Sequence, residues 1–161
     1  MGVSLFRAAT AADAEALRDL EQAANLVALG HVFDPRVFPF PAEAVLARWR
    51  TVLDEPSVTV DVAEGPSGLI VLAAYDTTTL RHLAVHPDWW GRGVGSTAVD
   101  RAATRIRAGG VAPRLWCLVA NERARALYRR LGWEPTGAER QAEWPPYPTE
   151  IEMVLQGSDR E

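Results

Sequence analysis

The sequence of 161 residues has little of what would place it outside the ordinary globular proteins. Its longest apolar run, residues 69–75, has seven residues, whereas a membrane-spanning helix needs roughly 20. The first residues bring Arg7, Asp13 and Glu15 and no long apolar block, so we do not expect a secretory signal. The single cysteine, Cys117, excludes an intrachain disulfide and the paired-cysteine zinc motifs. These absences predict a cytoplasmic protein with no membrane segment and no metal site.

Lysine is also absent, and all 17 basic residues are arginine. The formal net charge is −4, but residues 92–130 hold nine arginines against Asp100 and Glu122. This local surplus predicts an anionic ligand in the C-terminal half of the chain, unless the arginines only coat two helices. No basic arm or aromatic array of the kind that binds nucleic acid is present, so we expect no such partner.

Hydrophobic periodicity predicts the order strand, helix, helix, three strands, helix, strand, helix, two strands. The first strand is predicted at residues 5–8, and the continuous apolar run at 69–75 is typical of a central strand covered on both faces. The fold class is therefore α/β (α+β), a mixed sheet with helices on both faces. We expect a single domain over residues 1–156 and a frayed tail at 157–161.

The most informative stretch follows the predicted strand near residues 80–85. Residues 90–96 read Trp-Gly-Arg-Gly-Val-Gly-Ser and lead into a helix. Glycines allow positive φ angles and close approach of a ligand, and the N–H groups at a helix start bind anions such as a pyrophosphate. A P-loop needs a lysine, and the Rossmann spacing Gly-x-Gly-x-x-Gly is not met, so both interpretations fit poorly. A plain glycine-rich turn is the remaining structural alternative.

Residues 85–96, Val-His-Pro-Asp-Trp-Trp-Gly-Arg-Gly-Val-Gly-Ser, resemble the signature of the GNAT-type N-acetyltransferase superfamily. Residues 121–133, Asn-Glu-Arg-Ala-Arg-Ala-Leu-Tyr-Arg-Arg-Leu-Gly-Trp, resemble its second hallmark at the expected distance. The resemblance is close over residues 80–135, with one departure: the family's loop usually begins with Gln or Arg, where this chain has Trp90. It implies a GNAT-like acyl-CoA N-acyltransferase fold and direct acetyl transfer from acetyl-CoA to a primary amine of a small molecule or peptide, in a ternary complex.

The resemblance also implies that acetyl-CoA lies in a cleft where the fourth and fifth strands splay, and it implies which residues hold it. The backbone of three strand residues would pair with the pantetheine arm, seven loop residues would cradle the pyrophosphate, and two residues would lie near the thiol. In chain order these are Leu83, Ala84, Val85; Trp90, Gly91, Arg92, Gly93, Val94, Gly95, Ser96; Asn121 and Tyr128. Tyr128 matches the family's tyrosine and is the candidate to neutralise the departing thiolate, although it also lies on the apolar stripe of its helix.

The general base is harder to assign. Many relatives use a Glu on the fourth strand, and the matching position in this chain is Thr79, which cannot serve as a base. His82 is the nearest titratable candidate. His31, Asp34 and Glu64 are weaker candidates, and an acceptor that arrives as the free amine needs no base from the protein. Cys117 lies between apolar neighbours and is predicted to be a buried structural thiol.

Two loops rich in aromatic residues and proline, residues 31–40 and 144–147, are implied to form the acceptor site. Its candidate residues are His31, Phe33, Phe40, Trp144 and Tyr147. Asp34 or Glu143 would meet the charge of the amine, and the alternative is that the rings only seal a small core. Two other functions stay open: a non-catalytic acyl-CoA-binding or sensing module, and an acyltransferase that uses a longer acyl-CoA. We expect a monomer or a homodimer.

Overall fold

The computed structural model describes residues 6–157. Residue 5 of the predicted first strand and residues 158–161 of the predicted tail lie outside this range. The strands are β1 (Arg7–Ala8), β2 (Thr59–Gly65), β3 (Gly68–Tyr75), β4 (Thr79–Val85), β5 (Arg114–Leu118), β6 (Glu134–Gln141) and β7 (Thr149–Val154). The helices are α1 (Ala14–Ala28), α2 (Ala42–Asp54), α3 (Val94–Ala108) and α4 (Glu122–Arg130). Their order is the predicted one, so the predicted fold class is confirmed.

All seven strands form one mixed sheet in the order β1-β2-β3-β4-β5-β7-β6. The only parallel neighbours in this described sheet are β4 and β5, and their register contains just Thr79–Arg114 and Leu80–Leu115. Beyond Leu80, β4 continues to pair with β3, while β5 pairs with β7. The two central strands therefore diverge, and the sheet opens between them.

Two apolar cores cover the two faces of the sheet. On one face α1 and α2 pack around the fully buried Trp49, and on the other face α3 and α4 pack with the buried Trp133. Strand β3, which contains the predicted run 69–75, is buried from Ile70 to its end because both layers cover it. Helices on opposite faces thus meet at the opening between β4 and β5.

Local signals set most element boundaries. Thr10 and Asp13 form a capping box at a short 3-10 turn (Ala11–Asp13) that leads into α1. Pro41 directly precedes α2, with a ψ of 68°. Strand β6 begins at Glu134 and is exposed along its whole length, so no apolar alternation marks its start. Across residues 6–157, every helix is too short or too polar to cross a bilayer.

Candidate active site

The open edge of β4 is the first feature of the site. His86 N–H donates to the Ile70 carbonyl (2.8 Å), which places residue 86 in a hydrogen-bonded pair with β3. Such pairs alternate along an antiparallel ladder, so Ala84 also faces β3 while the N–H and C=O of Leu83 and Val85 face the other way. Since β5 has diverged there, these groups border the opening and can pair with an extended ligand.

The glycine-rich loop joins this edge to α3. Gly91 and Gly93 have φ angles of 76° and 79°, and no atom lies within 4 Å of a Cβ built on either. Gly93 is the residue just before α3, so the N–H groups of the first helical turn follow it directly. Left-handed backbone, open space and unpaired helix donors together fit a pyrophosphate.

Two arginines, one from each side of the opening, stack over the indole rings of Trp89 and Trp90. The guanidinium carbon of Arg92 lies 4.7 Å from the ring centroid of Trp89, and that of Arg123 lies 4.0 Å from that of Trp90. Arg123 belongs to the first turn of α4, so its contact with Trp90 spans the mouth between α3 and α4. Two of the nine clustered arginines thus lie where an anionic ligand was predicted.

A cavity of about 1020 Å³ occupies the opening. Its wall includes Glu21 and Arg48 from α1 and α2, Leu83 and Cys117 from the diverging strands, and Tyr128 from α4. Because α1 and α2 cover one face of the sheet and α4 the other, the cavity connects the two faces. Two ligands can therefore approach one point from opposite sides.

Tyr128 belongs to the cavity wall on the side of α4. Its side chain is buried, lines the cavity and packs against Trp133 with ring centroids 6.0 Å apart. Burial raises the pKa of Tyr128 above its ordinary value, so the phenol keeps its proton at neutral pH. The buried thiol of Cys117 lines the same cavity, and burial raises its pKa to about 12. A protonated thiol of this kind agrees with the structural role predicted for Cys117.

His82 lines the cavity from the side of α2. Its ring packs edge-on against Trp49, with centroids 5.2 Å apart. Burial and the charges of Arg48 and Arg81 lower the pKa of His82 to about 3. The imidazole is therefore neutral at pH 7 and is a much weaker base than a solvated histidine. Thr79, in the position of the family's Glu, shares a hydroxyl hydrogen bond with Thr78 (2.9 Å).

Asn121 caps α4 and lines the cavity. Its Oδ1 accepts a hydrogen bond from the N–H of Ala124 (3.1 Å), which leaves the side-chain amide hydrogens available to a ligand. The predicted thiol-end residues, Asn121 and Tyr128, therefore border one space.

Some of the predicted acceptor residues line the cavity and others do not. Phe33, Phe40 and Trp144 are in its wall. His31 is not, because its Nε2 donates to the carbonyl of Ala120 (2.9 Å) and so ties the loop to the turn before α4. Tyr147 is exposed at the tip of its loop, outside the wall.

Of the two carboxylates predicted to meet the charge of the amine, one lines the cavity and the other does not. The carboxylate of Asp34 is held by Arg36 (2.9 Å) away from the cavity, and Glu143 lines it. Among residues 6–157 no group of three or more His, Cys, Asp or Glu side chains is arranged to hold a metal ion.

Sequence reasoning missed an ion pair in the wall, between Glu21 of α1 and Arg48 of α2. One signal was present in the sequence. Glu21 lies four residues after Leu17, and Arg48 lies three after Val45, so both charges fall at core spacing on amphipathic helices. That the two helices bring them together requires the tertiary structure.

A mixed sheet whose central parallel strands diverge beside a glycine-rich helix start is the arrangement implied by the resemblance to N-acetyltransferases. The chain belongs to the GNAT acetyltransferase family, since the model of the "Acetyltransferase (GNAT) family" matches residues 15–133. No match was found among curated protein sequences.

Solved structures with a similar fold support the assignment. A GCN5-related N-acetyltransferase from Rhodopseudomonas palustris has a TM-score of 0.81 at 17% identity, covering 98% of this chain and 99% of that one. PaiA N-acetyltransferase from Thermoplasma acidophilum, in complex with coenzyme A, has a TM-score of 0.70 at 15% identity, covering 94% and 98%. The ribosomal-protein-S18-alanine N-acetyltransferase from Escherichia coli has a TM-score of 0.69 at 20% identity, covering 98% of each chain. At these identities the likeness establishes the fold.

Proposed function

We propose that this chain is an acetyl-CoA-dependent N-acetyltransferase that moves an acetyl group to the primary amine of a small molecule or a peptide by direct attack in a ternary complex. The observation that carries the proposal is the cavity that passes through the sheet where β4 and β5 diverge. A thioester would enter it from the side of α4, and an amine from the side of α1 and α2. Val85 and the glycine-rich loop 90–96 lie outside the cavity wall. Membership of the GNAT family and a neighbour in complex with coenzyme A support this assignment.

The residues at the opening suit coenzyme A. The backbone of Leu83 and Val85 would pair with the pantetheine arm as an added strand would. The loop from Trp90 to Ser96 would bind the pyrophosphate through backbone N–H groups, which do not depend on the side chain at position 90. Arg92 and Arg123 supply positive charge at the same mouth.

When bound, acetyl-CoA supplies a thioester whose carbonyl carbon the amine attacks, so that a C–N bond forms and the C–S bond breaks. The chain must then stabilise negative charge on the carbonyl oxygen. The N–H of Leu83 faces the opening, as does that of Val85, and Leu83 would be the backbone donor.

Tyr128 would stabilise the departing thiolate. Its buried phenol keeps its proton and can donate it, or a hydrogen bond, to the sulfur. The same surroundings make a thiolate more basic, as the raised pKa of Cys117 indicates. Sulfur released there therefore accepts a proton more readily than it would in water.

His82 is the candidate to receive the proton of the amine. Because its pKa is lowered to about 3, it is a weak base and takes a proton from an ammonium far less readily than a solvated histidine would. The alternative is that the acceptor binds as the free amine and needs no base from the protein.

Coenzyme A binding and thiol release test the proposal together. We expect calorimetry to detect coenzyme A binding to the wild type, and a panel of primary amines with acetyl-CoA to release free thiol. Gly93→Val should lose binding, because Gly93 has a φ of 79° beside the phosphate site. Gly110→Val is the matched control, since Gly110 has a φ of 84° and no neighbour within 4 Å but lies after α3.

Each outcome of this test points to a different function. Coenzyme A binding without thiol release on any amine would favour a non-catalytic binding module. A faster reaction with longer acyl-CoA donors would favour a different acyltransferase. Equal binding by wild type and Gly93→Val, with Gly110→Val unchanged, would contradict the assigned phosphate site.

A further inference from the structure

The side of the cavity formed by α1 and α2 contains one charge of each sign. Glu21 and Arg48 form an ion pair in the wall, and their side chains are 12% and 23% exposed. Tyr128 reaches the cavity from α4 on the opposite face of the sheet. A molecule that enters past α1 and α2 therefore meets this pair before it reaches Tyr128.

Arg48 uses little of its hydrogen-bonding capacity. A guanidinium carries five N–H donors, and within residues 6–157 Arg48 donates only from Nη2, to Glu21. Its Nε is buried without a partner, and its guanidinium carbon lies 5.1 Å from the centroid of the Trp49 ring. The indole fixes the guanidinium in place, which leaves Nη1 to bind an oxygen atom in the cavity.

The other two arginines in the cavity wall have more hydrogen-bond partners. Arg81 bonds to Asp76 (2.8 Å) and pairs with Glu55 (3.3 Å). Arg140 pairs with Glu150 (2.9 Å), and its side chain is 52% exposed, so water can satisfy its remaining donors. Of these three arginines, Arg48 therefore has the most N–H donors that neither a protein group nor water satisfies.

Placing an ion pair in this wall costs free energy of folding, and the need to fill the space does not explain why charged residues occupy it. Two charges lose hydration when they are partly buried, and apolar residues of similar volume often stabilise a fold as well or better. Burial raises the pKa of Glu21, while the neighbouring Arg48 lowers it. An acceptor with an ammonium and a carboxylate would complement both charges, whereas a simple amine would offer no oxygen atom to Nη1 of Arg48.

We propose that the Glu21–Arg48 pair binds an acceptor of the amino-acid class, whose carboxylate is held by Arg48 while Glu21 attracts the neighbouring ammonium. Phe33 and Phe40, in the same wall, would contact an apolar side chain of that acceptor. This inference names the acceptor for the proposed function and rests on it.

Three sets of matched acceptors test the inference by thiol release. Each set holds an amino acid, its carboxamide and the amine that lacks the carboxyl carbon, for phenylalanine, leucine and methionine. Hydrogen bonds to a charged group contribute about 1.5–3 kcal/mol, so we expect kcat/KM about 10–100-fold higher for the acid than for the other two members of at least one set.

Variants locate this preference. Arg48→Gln should reduce it to within about twofold while turnover of the simple amine persists, since only the group that binds the carboxylate is lost. A Glu21→Gln/Arg48→Gln double variant should do the same without an unpaired buried charge. Arg50→Gln is the control, because Arg50 is an exposed arginine of the same helix. Calorimetric binding of coenzyme A should be unchanged in all three.

Two results would overturn the inference and leave the proposed function standing. One is wild-type turnover of the carboxamide or the simple amine as fast as the amino acid in every set. The other is an acid preference that survives in both Arg48 variants. Coenzyme A binding with no turnover of any set also overturns it. If coenzyme A does not bind the wild type at all, the proposed function itself fails.

Discussion

The indole N–H of Trp90 donates a hydrogen bond of 2.8 Å to the carbonyl oxygen of Val85, at the end of β4. This carbonyl lies on the open edge of the strand, where the pantetheine arm is proposed to pair. Arg123 covers the other side of the same ring. The departure from the family's loop at Trp90 therefore places a competing donor at the coenzyme groove.

Trp90→Phe should bind coenzyme A more tightly than the wild type. The phenyl ring keeps a surface for Arg123 but cannot donate to Val85, so a ligand need not displace a hydrogen bond of about 1 kcal/mol. A Kd about fivefold lower is expected by calorimetry, and the change in tryptophan fluorescence on binding should shrink. Trp89→Phe is the control, since Trp89 contacts Arg92. Equal affinities in the wild type and Trp90→Phe would contradict the competition.

Tyr75→Phe should destabilise the fold without touching the cavity. The Tyr75 hydroxyl donates to Asp61 (2.9 Å), a carboxylate only 3% exposed, whose other charged neighbour is Arg101 at 3.8 Å. Loss of that donor leaves a buried acceptor short of a partner, which costs about 1–3 kcal/mol. Urea unfolding measures the difference, and Tyr147→Phe, at an exposed tyrosine, should stay within about 0.5 kcal/mol of the wild type. Equal midpoints for both variants would remove the role assigned to Tyr75.

Much of the fold was predictable because local sequence patterns indicate it. Gly91 and Gly93 occur where the backbone has a positive φ, and the apolar run at 69–75 occurs where the strand is buried, so each pattern is visible within its own segment. No local pattern predicts the divergence of β4 and β5, which the family resemblance alone implied, because it depends on where the pairing of two distant segments stops. No apolar alternation marks β6, because no face of it is buried.

The candidate site likewise has one part that local sequence patterns predict and one part that depends on the tertiary structure. The glycine-rich loop is contiguous in sequence, so the sequence alone suffices to name its residues one by one, and their role in binding coenzyme A stays a prediction. The acceptor side is assembled from distant segments. His31 carries no sequence signal for its bond to Ala120, and the contact of Glu21 with Arg48 depends on how α1 packs on α2.

The free energy of unfolding should fall as the pH drops below about 6.5, in part because of His82. The unfolded histidine binds a proton near its ordinary pKa of 6.5, while the folded one does so only near pH 3. The unfolded state therefore takes up more protons in this window, and stability falls by up to about 1.4 kcal/mol per pH unit. His82→Gln should flatten the dependence measured by urea unfolding between pH 4 and 7. Equal slopes for the wild type and His82→Gln would show that His82 is not the cause.

Tyr128→Phe should lower kcat by about 100-fold, the lower end of what a positioned general acid contributes. Coenzyme A binding should persist, because the loop that holds the phosphates is unchanged. Burial raises the pKa of Tyr128 above its ordinary value of 10, so the hydroxyl stays protonated up to pH 10. Ionisation of Tyr128 should therefore cause no loss of wild-type kcat as the pH rises from 6 to 10. Stopped assays of thiol release across pH 6–10 test both points. A variant with full kcat and normal coenzyme affinity would leave Tyr128 as a core residue that merely borders the cavity.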